Sequence, residues 1–221
     1  MLRKLRDKII FKFYDLVDFV FIQLFFRGLL LLRGTQVPFS SKISKFSINW
    51  PHQLSEALRI KGIANQVSLI ATTGWRTDDL IAAINASPQN ESYDKVSILI
   101  GVNNQYQGKP LMQFEQELDV IISLALERCG GDTSALFFVS IPDYAYSPYG
   151  SKLQTGKISA ELDTYNAYTA IKARELNVPF VDITPSSRTS AAHMFASDGL
   201  HPSTDQYAAW VNLILEQVAF K

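Results

Sequence analysis

Near the C-terminus, Ser197-Asp198-Gly199-Leu200-His201-Pro202-Ser203 sets a carboxylate and an imidazole three residues apart. Gly199 lets the backbone turn tightly, and Pro202 biases His201 away from helical angles, which places the histidine on a loop. In such a turn Asp198 can reach the imidazole, hold one tautomer and stabilise the imidazolium, the arrangement a general base needs. The same stretch also reads as the entry to a helix, because Ser203 with Gln206 three residues on has the form of a capping box.

For that pair to do chemistry, the rest of the chain must bring an electrophile's partners to it. The 221 residues are enough for one sizeable domain with a real core. Formal charge balances to zero, so nothing global marks a nucleic-acid partner. Cys129 is the only cysteine, which excludes an intrachain disulfide and a Cys-rich metal site. His52, His193 and His201 are far apart without ligand spacing, so no metal site is expected. The N-terminus is unusual: Met1 to Lys8 is basic and Phe19 to Leu32 strongly apolar, loosely like a secretory signal or an anchor. Lys12, Asp15, Asp18, Gln23 and Arg27 interrupt it, and its apolar runs fall short of the roughly 20 residues of a spanning helix. Membrane association through residues 1–32 is therefore the minor expectation.

From Trp50 onward the pattern becomes regular. A helix is expected from Trp50-Pro51 to near Gly62 and another from about Thr77, with Asp78 and Asp79 in its first turn. Leu111 to Cys129 carries Phe114, Leu118, Ile121, Ile122 and Leu126 at helical spacing before Gly130-Gly131. Ser159 to Leu176 is expected to be helical, with Leu162, Tyr165 and Ile171 inward and Asn177 as a left-handed cap. Thr204 to Phe220 is the last helix expected. Between them, Val67–Ala71, Val96–Val102, Ala135–Ile141 and Val178–Ile183 read as strands, with Asn103-Asn104 ending the second. Alternating strands and helices predict an α/β fold, a three-layer α/β/α sandwich with a mostly parallel central sheet. In that architecture ligands collect at the carboxyl ends of the strands, where Gly74, Asn103 and the Asp198–His201 turn all fall.

Thr73-Gly74, Gly101-Val102-Asn103-Asn104 and Asp198-Gly199-Leu200-His201-Pro202, in this order and spacing, resemble the SGNH (GDSL-type) hydrolases, a family of esterases and lipases with a flavodoxin-like sandwich. The resemblance covers Trp50 to the C-terminus. It implies a division at about residue 45, with an atypical segment 1–45 and a hydrolase-like domain 46–221. By this resemblance His201 is the general base and Asp198 its orienting partner. Gly74 supplies a backbone N–H, and Asn103 a side-chain amide, to an oxyanion hole. Such preorganised donors contribute roughly 3–4 kcal/mol each to transition-state stabilisation. The family usually has aspartate after the asparagine, where this chain has Asn104. Trp75, Tyr106 and Tyr144 are expected to line an acyl or sugar pocket, though aromatics at strand ends also serve plain packing. The implied partner is a small-molecule ester, and no cofactor is implied.

The family's first motif, a strand ending in Gly-Asp-Ser whose serine attacks the acyl carbon, does not occur in this chain. In the expected region stands Arg27-Gly28-Leu29-Leu30-Leu31-Leu32-Arg33-Gly34. With Gly28 on the motif's glycine, the serine position is Leu30, which has no nucleophilic atom. These eight residues can be encoded CGG-GGA-CTC-CTA-CTC-CTT-AGG-GG, and one nucleotide later the same DNA reads Gly-Asp-Ser-Tyr-Ser-Leu-Gly. An out-of-frame start, with the frame regained before Trp50, is one account of the gap. Ser40 or Ser41 as a displaced nucleophile is a second, and a non-catalytic protein that binds acylated lipid or sugar is a third. The apolar run Phe19–Phe26 is suited to the slot of the first strand. The expected function is a serine-type esterase on small acyl or acetyl esters, of very low activity as written.

Overall fold

The computed structural model describes residues 28–34, 49–88 and 92–220. The elements run β1 (Gly28–Gly34), α1 (Trp50–Ile60), β2 (Asn65–Ala71), α2 (Thr77–Ala86), β3 (Lys95–Leu99), α3 (Val102–Tyr106) and α4 (Leu111–Arg128). They continue with β4 (Leu136–Val139), α5 (Thr155–Leu176), β5 (Phe180–Val181), α6 (Thr184–Ser187) and α7 (Thr204–Gln217). The strands form one sheet in the order β2-β1-β3-β4-β5, covered by helices on both faces.

The slot beside β3 is filled by Gly28–Gly34, and the run Phe19–Phe26 lies outside the described residues. β3, β4 and β5 are mutually parallel, whereas β1 is antiparallel to both β2 and β3. Its register sets Gly28 against Ala71 and Leu99, at the carboxyl ends of β2 and β3, and Gly34 against Asn65 at the start of β2. The sheet is therefore mixed. The composition of β1 explains why a reversed strand is accepted. Side chains alternate between faces along a strand, and four consecutive leucines present two to each face whichever way they run. Leu29 and Leu31 join the layer under α2, α4 and α5, while Leu30 and Leu32 join that under α1 and α7. All four are at most 3% exposed, and each contributes roughly 2 kcal/mol of apolar burial.

Most helices begin close to where the sequence sets their caps, but α5 starts at Thr155, four residues before the expected Ser159. Asn49 caps α1 by accepting from the His52 N–H at 3.3 Å. Asn177 at φ 55° closes α5, and Arg128 packs inward from the last turn of α4, donating to Ile84 O at 2.8 Å. Ile171 departs from the expected inward face: it is 44% exposed, because α5 meets the sheet through Ile158, Leu162, Tyr165 and Ala173. Among the described residues no helix is long and apolar enough to cross a membrane.

Candidate active site

The His201 loop is a closed turn. Phe195 bridges Pro202, Ala196 N–H donates to His201 O at 2.7 Å, and Gly199 N–H donates to Ala196 O at 2.9 Å. Gly199 needs its positive φ of 68°, and a Cβ there would lie 3.2 Å from Pro148 Cβ. Inside the turn, Asp198 Oδ1 accepts the backbone N–H of Leu200 at 2.8 Å and of His201 at 3.0 Å, while Oδ2 bonds His201 Nδ1. A carboxylate only accepts, so Nδ1 carries the proton and Nε2 is the basic nitrogen. Burial alone would raise the Asp198 carboxyl. The His201 and Leu200 N–H groups, together with the imidazole, outweigh it and hold the group below the ordinary carboxylate range. The His201 residue is 7% exposed.

The stretch also opens a helix. Ser203 does cap α7, accepting from Gln206 N at 3.2 Å. The Gln206 side chain does not complete the box and instead donates to Ser186 O at 3.3 Å. The cap and the Asp–His pair share one loop.

Asn103 does not end a strand, as its sequence position suggests: β3 stops at Leu99, and Asn103 sits in the first turn of the short helix α3. Gly101 makes the break: it precedes α3 with φ 120°, a conformation that side chains rarely adopt. The Asn103 Nδ2 group donates to Trp75 O at 2.8 Å, which fixes the amide plane beside the Gly74 turn. Gly74 has φ +87° with open space where a Cβ would stand, so backbone conformation rather than crowding selects glycine. Gly74, Trp75 and Asn103 are thus brought together, as are Asp198 and His201.

Two tyrosines join these groups. Tyr106 lies one turn after Asn103, and its hydroxyl is 3.4 Å from that of Tyr149. Tyr149 in turn donates its backbone N–H to Gly199 O at 2.8 Å. The sequence does not single out Tyr149; Ser147-Pro148-Tyr149-Gly150 announces a turn but not its destination. Tyr106 is 54% exposed, whereas Tyr144 is buried, with its hydroxyl donating to Gln105 Oε1 at 2.9 Å. Tyr144 thereby supports α3, and it also lines a small pocket with Phe195, Leu200 and Pro202 of the His201 loop.

At the position where the family's serine is expected stands Leu30. Leu30 lies inside the layer beneath α1 and α7. Because β1 is reversed, the chain enters it at the end where the site lies, and no Ser, Thr or Cys occurs before Thr35. Ser40 and Ser41 lie outside the described residues.

Comparison with known proteins agrees with this arrangement. The model of the GDSL-like lipase/acylhydrolase family matches residues 42–209. Axe2, an acetylxylan esterase from Geobacillus stearothermophilus, superposes with a TM-score of 0.63 at 18% identity, covering 78% of this chain and 82% of that one. A lipolytic protein of the G-D-S-L family from Veillonella parvula gives 0.60 at 15% identity, covering 83% and 90%. TesA gives 0.59 at 17% identity, covering 76% and 86%. A search of curated protein sequences found no match. With a family match across most of its length and a mixed sheet wrapped as in those esterases, the chain belongs to the GDSL-like lipase/acylhydrolase family.

Proposed function

We propose that this chain is built for hydrolysis of small carboxylic esters, with acetyl or similarly short acyl groups, and that as written it lacks the nucleophile. Residues 46–221 carry the remaining machinery. His201 Nε2 would take the proton of an attacking hydroxyl and return it to the leaving alcohol, with Asp198 holding the ring and stabilising its charge. Gly74 N–H and the Asn103 amide would face the developing oxyanion. The observation that carries this reading is the Tyr106–Tyr149–Gly199 linkage, which ties the Asn103 helix to the His201 turn. Acetyl esters of sugars, the substrates named for Axe2, are the first class to assay.

The reversed β1 favours an out-of-frame start. A Gly-Asp-Ser motif needs a strand that arrives at the catalytic end, whereas this one departs from it. In the shifted reading, Gly-Asp-Ser-Tyr-Ser-Leu-Gly replaces residues 28–34. The coding DNA tests this directly: absence of any single-nucleotide shift that yields the motif ends it. For the esterase reading, nitrophenyl acetate turnover is compared in the parent and in a chain carrying that heptapeptide. The parent is expected to be inactive, the replaced chain active, and His201→Ala in the replaced chain inactive again. A folded replaced chain without turnover overturns the esterase reading. Tight ester binding by the parent alongside that result supports a non-catalytic binding protein.

A further inference from the structure

Asn104 follows the oxyanion amide in sequence and is fully buried. Its Oδ1 accepts the Thr77 N–H at 3.1 Å, and its Nδ2 donates to Thr77 Oγ1 at 2.6 Å. Thr77 is also fully buried and has a single hydroxyl proton. Since its oxygen already accepts from Asn104, that proton goes to Glu117 Oε2 on α4. The other oxygen of Glu117 accepts from Gln113 Nε2 at 2.9 Å. The result is a hydrogen-bond chain with one direction, amide to hydroxyl to carboxylate.

This chain stands next to the bond that sets the oxyanion hole. Trp75 O receives Asn103 Nδ2 at 2.8 Å, Arg76 Nη1 donates to Gln107 Oε1 at 2.9 Å, and Thr77 holds Asn104. Three consecutive residues at the start of α2 thereby grip α3. Gly74 directly precedes these three residues, so the clamp joins its turn to the helix that carries Asn103.

We propose that Asn104 is a positioning residue for the two oxyanion donors and that it works as a matched pair with Glu117 through the Thr77 hydroxyl. The pairing is specific in charge. A carboxylate at position 104 would accept from Thr77 N–H and claim the same hydroxyl proton as Glu117, leaving two acceptors for one donor and two like charges around it. With glutamine at position 117 as well, the chain runs the other way. The introduced amide nitrogen donates to Thr77 Oγ1, the Thr77 proton goes to the introduced carboxylate, and the introduced amide oxygen still accepts from Gln113. The role at the oxyanion hole rests on the esterase reading; the pairing itself does not.

The test is a double-mutant cycle in the chain as it stands, comparing parent, Asn104→Asp, Glu117→Gln and the double variant. Urea unfolding gives stability. The NMR signals of the Asn103 side-chain NH2 and the Gly74 backbone N–H report donor geometry. Asn104→Asp is expected to lower the folding equilibrium constant about tenfold or more and to shift both signals. The double variant is expected to return within about threefold of the parent, with the signals restored. Additive losses in the double variant overturn the pairing. Lost stability with unmoved Asn103 and Gly74 signals overturns the positioning role. Neither readout uses turnover, so an inactive heptapeptide-bearing chain would count against the esterase reading alone.

Discussion

Leu30 stands directly opposite Ser97 across the antiparallel β1–β3 pair, and the buried Ser97 hydroxyl has no hydrogen-bond partner among the described residues. A direct cross-strand pair brings side chains on one face to within about 5 Å. A serine at position 30 would therefore meet the Ser97 hydroxyl in the closed layer beneath α1 and α7. Leu30→Ser is expected to fold, with stability lowered by about 2–4 kcal/mol, and to gain no ester turnover. Urea titration and a nitrophenyl acetate assay check both halves. Activity from this single change would mean that β1 runs the other way in solution.

Asp198 gives a pH dependence with a definite sign. Its carboxyl is held below the ordinary carboxylate range, so the stabilisation is complete above about pH 4 and lost as pH falls through the lower folded value. Asp198→Asn removes it. The stability gap between parent and variant is expected to be widest near neutrality and to shrink steadily toward strong acid, measured as urea midpoints. In a chain carrying the heptapeptide, the same substitution is expected to lower kcat by about 10³–10⁴ at neutral pH, because the imidazole loses its orienting acceptor.

Gly101, at the start of α3, is both crowded and at positive φ. With φ 120°, a Cβ there would lie 2.5 Å from Phe114 Cε2 and 2.9 Å from Ile141 Cδ1. Gly101→Ala is expected to cost about 2–4 kcal/mol, since backbone strain and a side-chain collision add. Gly62→Ala, at φ 84° with open space around it, is expected to cost only about 1 kcal/mol. Thermal or urea unfolding of the two variants separates collision from strain.

Cys129 is buried at the end of α4, and burial, with Asp132 nearby, pushes its thiol above the ordinary value. The thiolate is the reactive form, so a disulfide reagent at neutral pH is expected to leave Cys129 unmodified until the protein unfolds. The modification rate should follow denaturant in step with the loss of helical signal.

The legible parts of the fold were those with a local cause. Helices α1, α2 and α4 begin where Pro51, Thr77 and Leu111 set them, because caps and apolar periodicity are written in neighbouring residues. Strand ends were less legible: the run through Val102 looks continuous, but Gly101 diverts it into a helix that carries Asn103. The direction of β1 was not legible, since a row of leucines has the same pattern forward and backward. The Asp198–His201 contact was legible because only Gly199 and Leu200 separate the two. The support from Tyr149 and the Thr77–Glu117 chain was not, because those partners meet only through tertiary packing 40 or more residues apart.

A backbone ladder carries no memory of the letters that make it. The reversed β1 closes the gap between β2 and β3 through its ladders and its four leucines, so the sheet is continuous where the family's Gly-Asp-Ser strand is expected. Circular dichroism, melting curves and solubility would all pass such a molecule as sound. Turnover of an ester is the separate measurement that reports on the chemistry.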